Sequence, residues 1–449
     1  MNIKKIKRLN DIVPFWIKRP FSKVIRRQLI GNPVFLWQYQ ELEQAESLSE
    51  NEKKKVQETK IKEILQHAYA HTSYYHNLFD SIGLNLSSAE PLTELEKIPI
   101  LTRELLEKNY DALSADNIQD FYEVSTGGTS GKPVNLLMER EAIFREWAFV
   151  YHYWSKFGYD YKKSRLATLR GVDFNGKYFI ENPLYMEIRL NPMLMNRNNI
   201  AEYIKRVKTY KATFLYGYPS SVYNFCKLSE ENHIDISKIF KGVFLISENL
   251  YPFQEEKILH TTKCPIAIFY GHSERAVFAE RYSTGYKFNS YYGKTEISQT
   301  GEPVVTGFIN KKMPLIRYVV DDKAEVIQDG VYHISGHHDS EVLCGINGEE
   351  ISAAMINFHD DTFAGVEAYQ FVQSEPGRCV LRVQTGRPLT SVQSERILGR
   401  IRNKLGGIVC TVERVDKIEL TKRGKYKMVI QDWEKADGHE TENINGGTR

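Results

Sequence analysis

The chain has 449 residues, enough for two or three domains, and its 42% hydrophobic and 26% charged residues are typical of a soluble globular protein. A formal net charge of +3 is too small to indicate a nucleic-acid partner. The cysteines are far apart and none forms a C-x-x-C pair, which excludes a disulfide framework and a cysteine zinc site and predicts reduced, mostly buried thiols in a cytoplasmic protein. They are Cys226, Cys264, Cys344, Cys379 and Cys410.

The first 27 residues are strongly basic. Their apolar run, Ile12–Ile17, is too short for the hydrophobic region of a signal peptide or for a membrane span. Two interpretations stay open. The segment is either a solvated basic terminus or a peripheral contact with an anionic membrane through Phe15, Trp16 and Phe21.

Helical patterns dominate the next part of the chain. Residues 34–80 predict helices, with an amphipathic stripe that includes Ile61, Ile64 and Leu65. Thr102 is the expected N-cap of a further helix. Two strands are then predicted, Phe121–Val124 and Val134–Met138.

A run of three glycines, four hydroxyl residues and one lysine, S-T-G-G-T-S-G-K-P, connects these two strands at residues 125–133. Glycine lets the backbone approach a ligand closely, and successive N–H groups in such a turn bind anions. The run is not a Walker A loop, because no glycine lies five residues before Gly131 and Pro133 follows Lys132. It is either a flexible connection or a loop that holds a polyphosphate.

Strands and helices alternate between residues 139 and 280, which predicts an α/β domain. The expected strands are Arg165–Leu169, Thr213–Tyr216, Gly242–Ile246 and Pro265–Phe269. The expected helices are Glu139–Trp154, Ile200–Tyr210 and those starting at Pro219 and Pro252. Ligands of such sheets bind beyond the carboxyl ends of the strands, where Ser247-Glu248 and Tyr270–Glu274 fall.

Short strands follow Glu280 and predict a β-rich subdomain. They are Lys287–Tyr292, Val304–Ile309, Leu315–Val320, Lys323–Ile327 and Val331–Ser335. A small α/β unit is expected after Gly336–Asp339. Its predicted elements are a helix near Ser352–His359, strands Ala368–Gln373, Arg378–Gln384 and Ile408–Arg414, and a helix Thr390–Lys404.

Five side chains are candidates for chemistry, and each also has a purely structural interpretation. Glu274 could hold Mg²⁺, which prefers carboxylate oxygens. Tyr270 could stack on a base or fill the core. The Asp321-Asp322 pair could accept hydrogen bonds from ribose hydroxyls, and Lys425 could place its charge on a phosphoryl oxygen.

Two other kinds of site are excluded. His272, His337 and His338 have no carboxylate or cysteine at ligand spacing, which argues against a metal centre built on histidines. Ser220-Ser221 lacks the G-x-S-x-G frame of a serine hydrolase.

The order of the motifs resembles that of the adenylate-forming (ANL) superfamily. The glycine-rich loop is followed by S-E, Y-G-H-S-E, R-Y-V-V-D-D, G-H-H-D and R-G-K. Within the superfamily, Y-G-Y-P-S-S (216–221), V-T-G-F (305–308) and M-P-L-I-R-Y (313–318) are similar to the phenylacetate–CoA ligase branch and its CapK-type proteins, which are linked to capsular polysaccharide synthesis. The resemblance covers roughly residues 50–433.

The resemblance implies an α/β architecture with a large N-terminal adenylate-forming domain and a small mobile C-terminal domain. The implied divisions are residues 1–335 (with 1–45 as a basic extension), a hinge at 336–340, the C-terminal domain at 341–433 and a disordered tail at 434–449. The implied reaction uses ATP and Mg²⁺ to convert a small carboxylic acid or sugar acid into an acyl-adenylate. The acyl group then passes to a thiol, such as that of CoA, or to an amine. The alternatives are a degenerate nucleotide-binding scaffold at a membrane-associated assembly and an enzyme that transfers AMP.

The resemblance also implies roles for individual residues. Lys425 and Glu274 are the expected catalytic residues, and Glu274 also holds Mg²⁺. The ATP phosphate loop comprises Ser125, Thr126, Gly127, Gly128, Thr129, Ser130, Gly131 and Lys132. Adenine and ribose are expected to contact Ser247, Glu248, Tyr270, Gly271, His272, Ser273 and Asp322. Asp339 is expected at the hinge.

The chain departs from the family pattern at three places. Val319-Val320 replaces a polar pair, His337 replaces the usual hinge arginine, and Glu280–Tyr292 lacks the cysteines of a zinc element. These departures argue against phenylacetate as the substrate and against a standard CoA site.

Overall fold

The computed structural model describes most of the chain. The described residues are 24–125, 135–170, 177–192, 194–320, 322–328, 330–335, 342–346, 350–352, 363, 366–405, 408–420 and 427–432. They form two compact units, and the main division falls between Ile334 and Ser335.

The helices of the larger unit agree well with the sequence patterns. After a helical stretch at residues 24–30, they are α1 Pro33–Ala45, α2 Glu50–His71, α3 Ser73–Ser81, α4 Pro91–Lys97, α5 Arg103–Lys108, α6 Glu141–Ser155, α7 Ile200–Tyr210, α8 Pro219–Glu231 and α9 Pro252–Thr262. A reciprocal capping box of Ser49 and Glu52 starts α2, so the helical region 34–80 is three helices. The predicted cap of α5 is confirmed, because Thr102 Oγ1 accepts from the Leu105 N–H.

A ten-stranded sheet forms the centre of this unit. Its strands, in spatial order, are β14 Lys323–Gln328, β15 Val331–Ser335, β10 Gly285–Phe288, β9 Phe278–Tyr282, β8 Ile266–Gly271, β7 Gly242–Leu245, β6 Phe214–Gly217, β3 Leu166–Leu169, β5 Glu187–Leu190 and β4 Phe179–Asn182. Strands β8, β7, β6, β3 and β5 run parallel, and β4 and β9 pair antiparallel at either side of them.

Aromatic residues of α6 pack against the parallel strands and fix the helix on the sheet. The Trp154 ring stacks on Phe244 of β7 at 4.3 Å, and Phe244 stacks on Phe214 of β6 at 5.2 Å. Strands β3 and β7 are buried at every residue, as expected for parallel strands covered on both faces. These contacts therefore hold the parallel strands, including their carboxyl ends, in a fixed position against α6.

Two smaller sheets complete the larger unit. Strands β1 Phe121–Ser125 and β2 Asn135–Glu139 form an antiparallel hairpin, as predicted, with Ser125 opposite Asn135. Strands β11 Gly293–Ile297, β12 Pro303–Gly307 and β13 Tyr318–Val319 form a three-stranded sheet.

The predicted β-rich region differs from the structure in detail. Strands β9, β10, β14 and β15 extend the central sheet and do not form a sheet of their own. The predicted strand Lys287–Tyr292 is wrong beyond Phe288, because the Asn289 side chain accepts from the Tyr291 N–H and closes a turn. Strands β4 and β5 were not predicted.

Part of the basic N-terminal segment belongs to the packed body. The Arg26 side chain is 8% exposed and donates to the carbonyls of Leu184, at 2.9 Å, and Tyr161. Phe35 of α1 is fully buried, and the centre of its ring lies 6.0 Å from the centre of the Tyr151 ring of α6 in an edge-to-face arrangement. The membrane-facing residues proposed from the sequence, Phe15, Trp16 and Phe21, lie outside the described residues.

The smaller unit contains a four-stranded sheet and one described helix. The sheet order is β20 Val409–Val415, β19 Arg378–Gln384, β18 Ala368–Glu375 and β21 Val429–Gln431. The helix is α10 Ser391–Leu405, and β16 Val342–Cys344 pairs with β17 Glu350–Ser352. Ser352 is therefore in a strand, and the rest of the helix predicted near Ser352–His359 lies outside the described residues.

All five cysteines are free, and four of them are buried, in agreement with the sequence prediction. Within the described ranges, we find no helix that is both long and apolar enough to cross a membrane.

Candidate active site

Four parallel strands end at one edge of the central sheet. Their register aligns Leu169 of β3 with Gly217, Gly217 with Leu245, and Leu245 with Ile268. Residues that follow these positions therefore share the carboxyl edge, where α/β sheets bind ligands. The structure brings Ser247 and the Tyr270–Glu274 segment to this edge, as predicted from the order of the elements.

Three predicted nucleotide-binding residues form a hydrogen-bonded cluster at the end of β8. The Tyr270 hydroxyl donates to Asp322 Oδ2 at 2.5 Å, and His272 Nε2 lies 2.6 Å from the same oxygen. Asp322 is 4% exposed. Burial, together with the Asp322 carboxylate, raises the pKa of Tyr270 well above its usual value, so the phenol keeps its proton and donates it. The aspartate is thus an acceptor held in one orientation.

Glu274 lies in the turn between β8 and β9. Across the part of the chain that the structure describes, its carboxylate makes no hydrogen bond or ion pair. A Cβ at Gly307 would lie 2.8 Å from Ala276 Cα, so only glycine lets β12 approach this turn so closely. Gly307 of the V-T-G-F motif therefore lets β12 pack closely against the segment that follows Glu274.

A buried network, missed by the sequence analysis, connects this turn to β1. Arg275 Nη1 donates to the Tyr122 hydroxyl at 2.9 Å, and its Nε lies 3.8 Å from Glu146 Oε2. Tyr292 donates its hydroxyl to the same Glu146 oxygen. Burial raises the pKa of Glu146, while Arg275 acts in the opposite direction. The network fixes the turn that carries Glu274 relative to the strand that leads into the glycine-rich run.

A second missed cluster lies at the ends of β3 and β6. Arg170 Nη1 donates to the Tyr216 hydroxyl at 3.0 Å. Its guanidinium carbon lies 5.3 Å from the centre of the Tyr216 ring and 6.0 Å from that of Tyr218. Arginine directly after a buried strand was the available signal, and it has no counterpart among the quoted family motifs.

The remaining predicted site residues differ in their exposure, and many of them lie outside the described residues. Ser247 has a left-handed backbone (φ 64°), Glu248 is 9% exposed, and Gly271 and Ser273 are exposed. Ser125 is the last residue of β1. The following predicted residues lie outside the described ranges: Thr126, Gly127, Gly128, Thr129, Ser130, Gly131, Lys132, Asp321, Asp339 and Lys425. Their roles stay predictions.

Arg317 of the R-Y-V-V-D-D motif has a structural role. Its guanidinium forms two hydrogen bonds with Glu296, at 3.2 and 2.9 Å, and also donates to the carbonyls of Glu96 and Ile98. It ties the segment before Asp322 to the end of α4.

Solved structures share this fold. A 2-hydroxyisobutyryl-CoA ligase, solved in the postadenylation state in complex with R3-HIB-AMP, superposes with a TM-score of 0.64 at 15% identity, covering 86% of this chain and 91% of that one. The same ligase with 2-HIB-AMP gives 0.63 at 16% identity, covering 86% and 90%. The chain has the adenylate-forming ligase fold. The predicted fold class and the predicted resemblance are confirmed.

Sequence comparisons agree with the structural ones. Residues 343–432 match the CapK C-terminal domain family. Protein CapK of Staphylococcus aureus is 22% identical over 284 residues, which are 60% of this chain and 62% of that protein's length. Phenylacetate-coenzyme A ligase of Escherichia coli (strain K12) is 31% identical over 94 residues, which are 20% of this chain and 22% of that enzyme. The similar proteins are therefore CoA ligases and a CapK protein.

One carboxylate after β8, that of Glu274, is compatible with a magnesium ion whose other ligands come mainly from a nucleotide. No group of three or more histidine, cysteine or acidic side chains within the described ranges could hold a metal alone. Mg²⁺ commonly binds through one or two carboxylates and the substrate phosphates. Glu274, which has no partner among the described residues, meets that requirement.

Proposed function

We propose that the protein activates a carboxylic acid with ATP, forming an acyl-adenylate and pyrophosphate, and then transfers the acyl group to a thiol or amine. The observation that carries this proposal is the Tyr270–His272–Asp322 cluster beside the Glu274 turn, in a chain with the adenylate-forming ligase fold. ATP as a co-substrate favours a cytoplasmic location. The resemblance to CapK-type proteins suggests a sugar acid as substrate, in surface polysaccharide synthesis.

The chemistry explains the residue types. A carboxylate oxygen attacks the α-phosphorus, and the bond to the β-phosphate oxygen breaks to release pyrophosphate. Two anions must meet for this step, so positive charge at the reacting oxygens lowers the barrier. Lys425 would supply that charge, and Asp322 would accept from the ribose hydroxyls. Glu274 would hold Mg²⁺, which neutralises phosphate charge when bound.

We also propose that the CapK C-terminal match, residues 343–432, is the mobile domain that completes the site on closure. Lys425 falls within this segment, and Asp339 lies in the expected hinge just before it. Placing the lysine on a mobile domain lets the acid and ATP enter before the charge is brought to them.

Carboxylate-dependent exchange of pyrophosphate into ATP, measured across a panel of acids that includes uronic acids and amino acids, tests the proposal. We expect Lys425→Ala to lower exchange by about 10²- to 10³-fold, the range for removing one group that stabilises transition-state charge. Lys422→Ala removes the same charge from the same basic stretch of sequence, K-R-G-K, and is the matched control, expected to keep near wild-type exchange.

Other outcomes would identify the alternatives. ATP binding without exchange for any acid would indicate a nucleotide-binding scaffold. AMP found on the final product would indicate AMP transfer. Full exchange by Lys425→Ala would remove that lysine from the mechanism.

A further inference from the structure

An arginine held between tyrosine rings lies at the carboxyl ends of β3 and β6, away from the Asp322 cluster. The side chain of Arg170 is partly exposed, and its guanidinium lies against the faces of Tyr216 and Tyr218. Tyr216 is itself fixed by Trp154, whose ring lies 5.0 Å away. The guanidinium is therefore presented in a restricted orientation at the ligand-binding edge of the sheet.

Among the residues that the structure describes, no side chain balances the positive charge of Arg170. Burial raises the pKa of Tyr216, so this phenol is neutral at pH 7. Glu187 contributes to the electrostatic environment of Arg170 but is engaged elsewhere. Its carboxylate accepts from Thr168 at 2.8 Å, Asn182 at 2.8 Å and Arg189 at 2.7 Å. None of the carboxylates in the described ranges forms an ion pair with Arg170.

The backbone is built to bring this arginine and the tyrosines together. A Cβ at position 217 would lie 2.4 Å from the carbonyl oxygen of Leu169, the residue before Arg170. Only glycine permits this approach between the ends of β3 and β6. Side chains on such strand ends are held more precisely than side chains on loops.

We propose that Arg170 binds a second anionic group, a carboxylate or a phosphate, at the far end of the acid that is activated. This inference rests on the proposed function. The guanidinium has five N–H donors in a planar fork that matches both groups, and the Tyr216 phenol to which it donates carries no charge that would balance it. The substrate class is therefore an acid with two anionic groups, called a dianionic acid or dianion below whatever the charge of the second group.

The strand order sets the separation of the two anionic groups. Strands β6 and β7 lie between β3 and β8, so Arg170 and the Tyr270–Glu274 segment are three strand spacings apart, about 14 Å. The arginine side chain spans part of that distance. The second anionic group thus lies several bonds from the reacting carboxylate, which favours a six-carbon acid over a short diacid such as malonate.

Matched pairs of acids test this inference by pyrophosphate exchange: adipate against hexanoate, and 6-phosphogluconate against gluconate. We expect kcat/KM for the dianion to exceed that for its partner by about 10- to 100-fold, the range for hydrogen bonds to a charged group. Arg170→Gln should abolish this preference, and Arg170→Lys should restore part of it. The pair with the larger preference distinguishes a distal carboxylate from a distal phosphate.

Arg165→Gln is the matched control, because Arg165 precedes the same strand at its opposite end. It donates to the Tyr210 carbonyl at 2.8 Å and lies 5.5 Å from the Tyr210 ring, so it repeats the arginine–tyrosine packing away from the carboxyl edge. This variant should keep the preference for dianions. Equal loss of activity toward both members of each pair in Arg170→Gln would overturn the inference, as would a wild-type protein without the preference.

Failure of the proposed function is a separate outcome. If the wild type supports no exchange with any acid, isothermal titration with adipate and 6-phosphogluconate decides the inference. Binding that is lost in Arg170→Gln and kept in Arg165→Gln supports a dianion site. Binding unaffected by Arg170→Gln, or no binding by the wild type, overturns it.

Discussion

The two side-chain clusters at the carboxyl edge of the central sheet differ in the sign of the charge that they carry and in the groups that surround that charge. At the end of β8, the buried carboxylate of Asp322 receives hydrogen bonds from Tyr270 and His272. At the ends of β3 and β6, the charge of Arg170 faces the rings of Tyr216 and Tyr218. In the first cluster, the Asp322 carboxylate accepts hydrogen bonds from Tyr270 and His272, and all three residues lie in the quoted family motifs. In the second cluster, Tyr216 and Tyr218 belong to the Y-G-Y-P-S-S motif, and only Arg170, the residue that we propose to bind a ligand, lies outside the quoted motifs.

Asp322→Asn should produce the largest separation between the two clusters. The loss of a buried charged acceptor should raise KM for ATP by about 10- to 100-fold, while the preference among acids stays unchanged. Steady-state exchange kinetics with varied ATP measure the effect. Tyr270→Phe keeps the ring but removes one donor, and should cost only a few-fold. A changed acid preference with normal KM for ATP would contradict the division of roles.

Gly217→Ala tests whether the Arg170 cluster depends on close strand contact. The added Cβ would meet the Leu169 carbonyl at 2.4 Å, so we expect a loss of about 1–3 kcal/mol in the free energy of unfolding. Gly399→Ala in α10 is the control, since nothing lies within 4 Å of its Cβ position; it should stabilise the helix by up to about 1 kcal/mol. Urea denaturation compares the two. Equal shifts would show that the contact is unimportant.

Glu146→Gln should have the smallest effect, and the effect should depend on pH. Burial raises the folded-state pKa of Glu146 above its ordinary value of 4.5. The folded protein therefore binds this proton more tightly, and the stability it contributes below pH 4.5 is lost as the pH rises through the folded pKa. The melting temperature of the variant, relative to wild type, should thus rise with pH from about 4.5 upward. A difference that is constant or falls with pH would contradict the assigned direction.

Much of the fold could be predicted because its strongest signals are local. The Ile200–Tyr210 helix has the predicted bounds, and the buried strand at Gly242 differs from its prediction by one residue at its end. Strand β5 was missed because it contains Glu187, a buried carboxylate whose burial depends on hydrogen bonds from Thr168 of β3, Asn182 of β4 and Arg189 of β5 itself. Such compensation is not visible in a pattern of hydrophobic residues.

The residues of the candidate site also divide into those that the sequence predicts and those that it does not. Asp322, Tyr270 and His272 could be predicted from motif order, and the structure brings them within hydrogen-bonding distance. Arg275 and Arg170 could not, because their roles depend on partners 153 and 46 residues away along the chain. A periodic pattern of hydrophobic residues reflects local structure and gives no information on contacts between residues so far apart in the chain.

The most direct test of the central claim follows an oxygen atom. An acid that supports exchange is labelled with ¹⁸O in its carboxylate and incubated with ATP and an acceptor, and the AMP is analysed by mass spectrometry. If the carboxylate oxygen attacks the α-phosphorus, the AMP released after acyl transfer carries one ¹⁸O atom. Unlabelled AMP, or label in ADP or inorganic phosphate, would contradict activation through an acyl-adenylate.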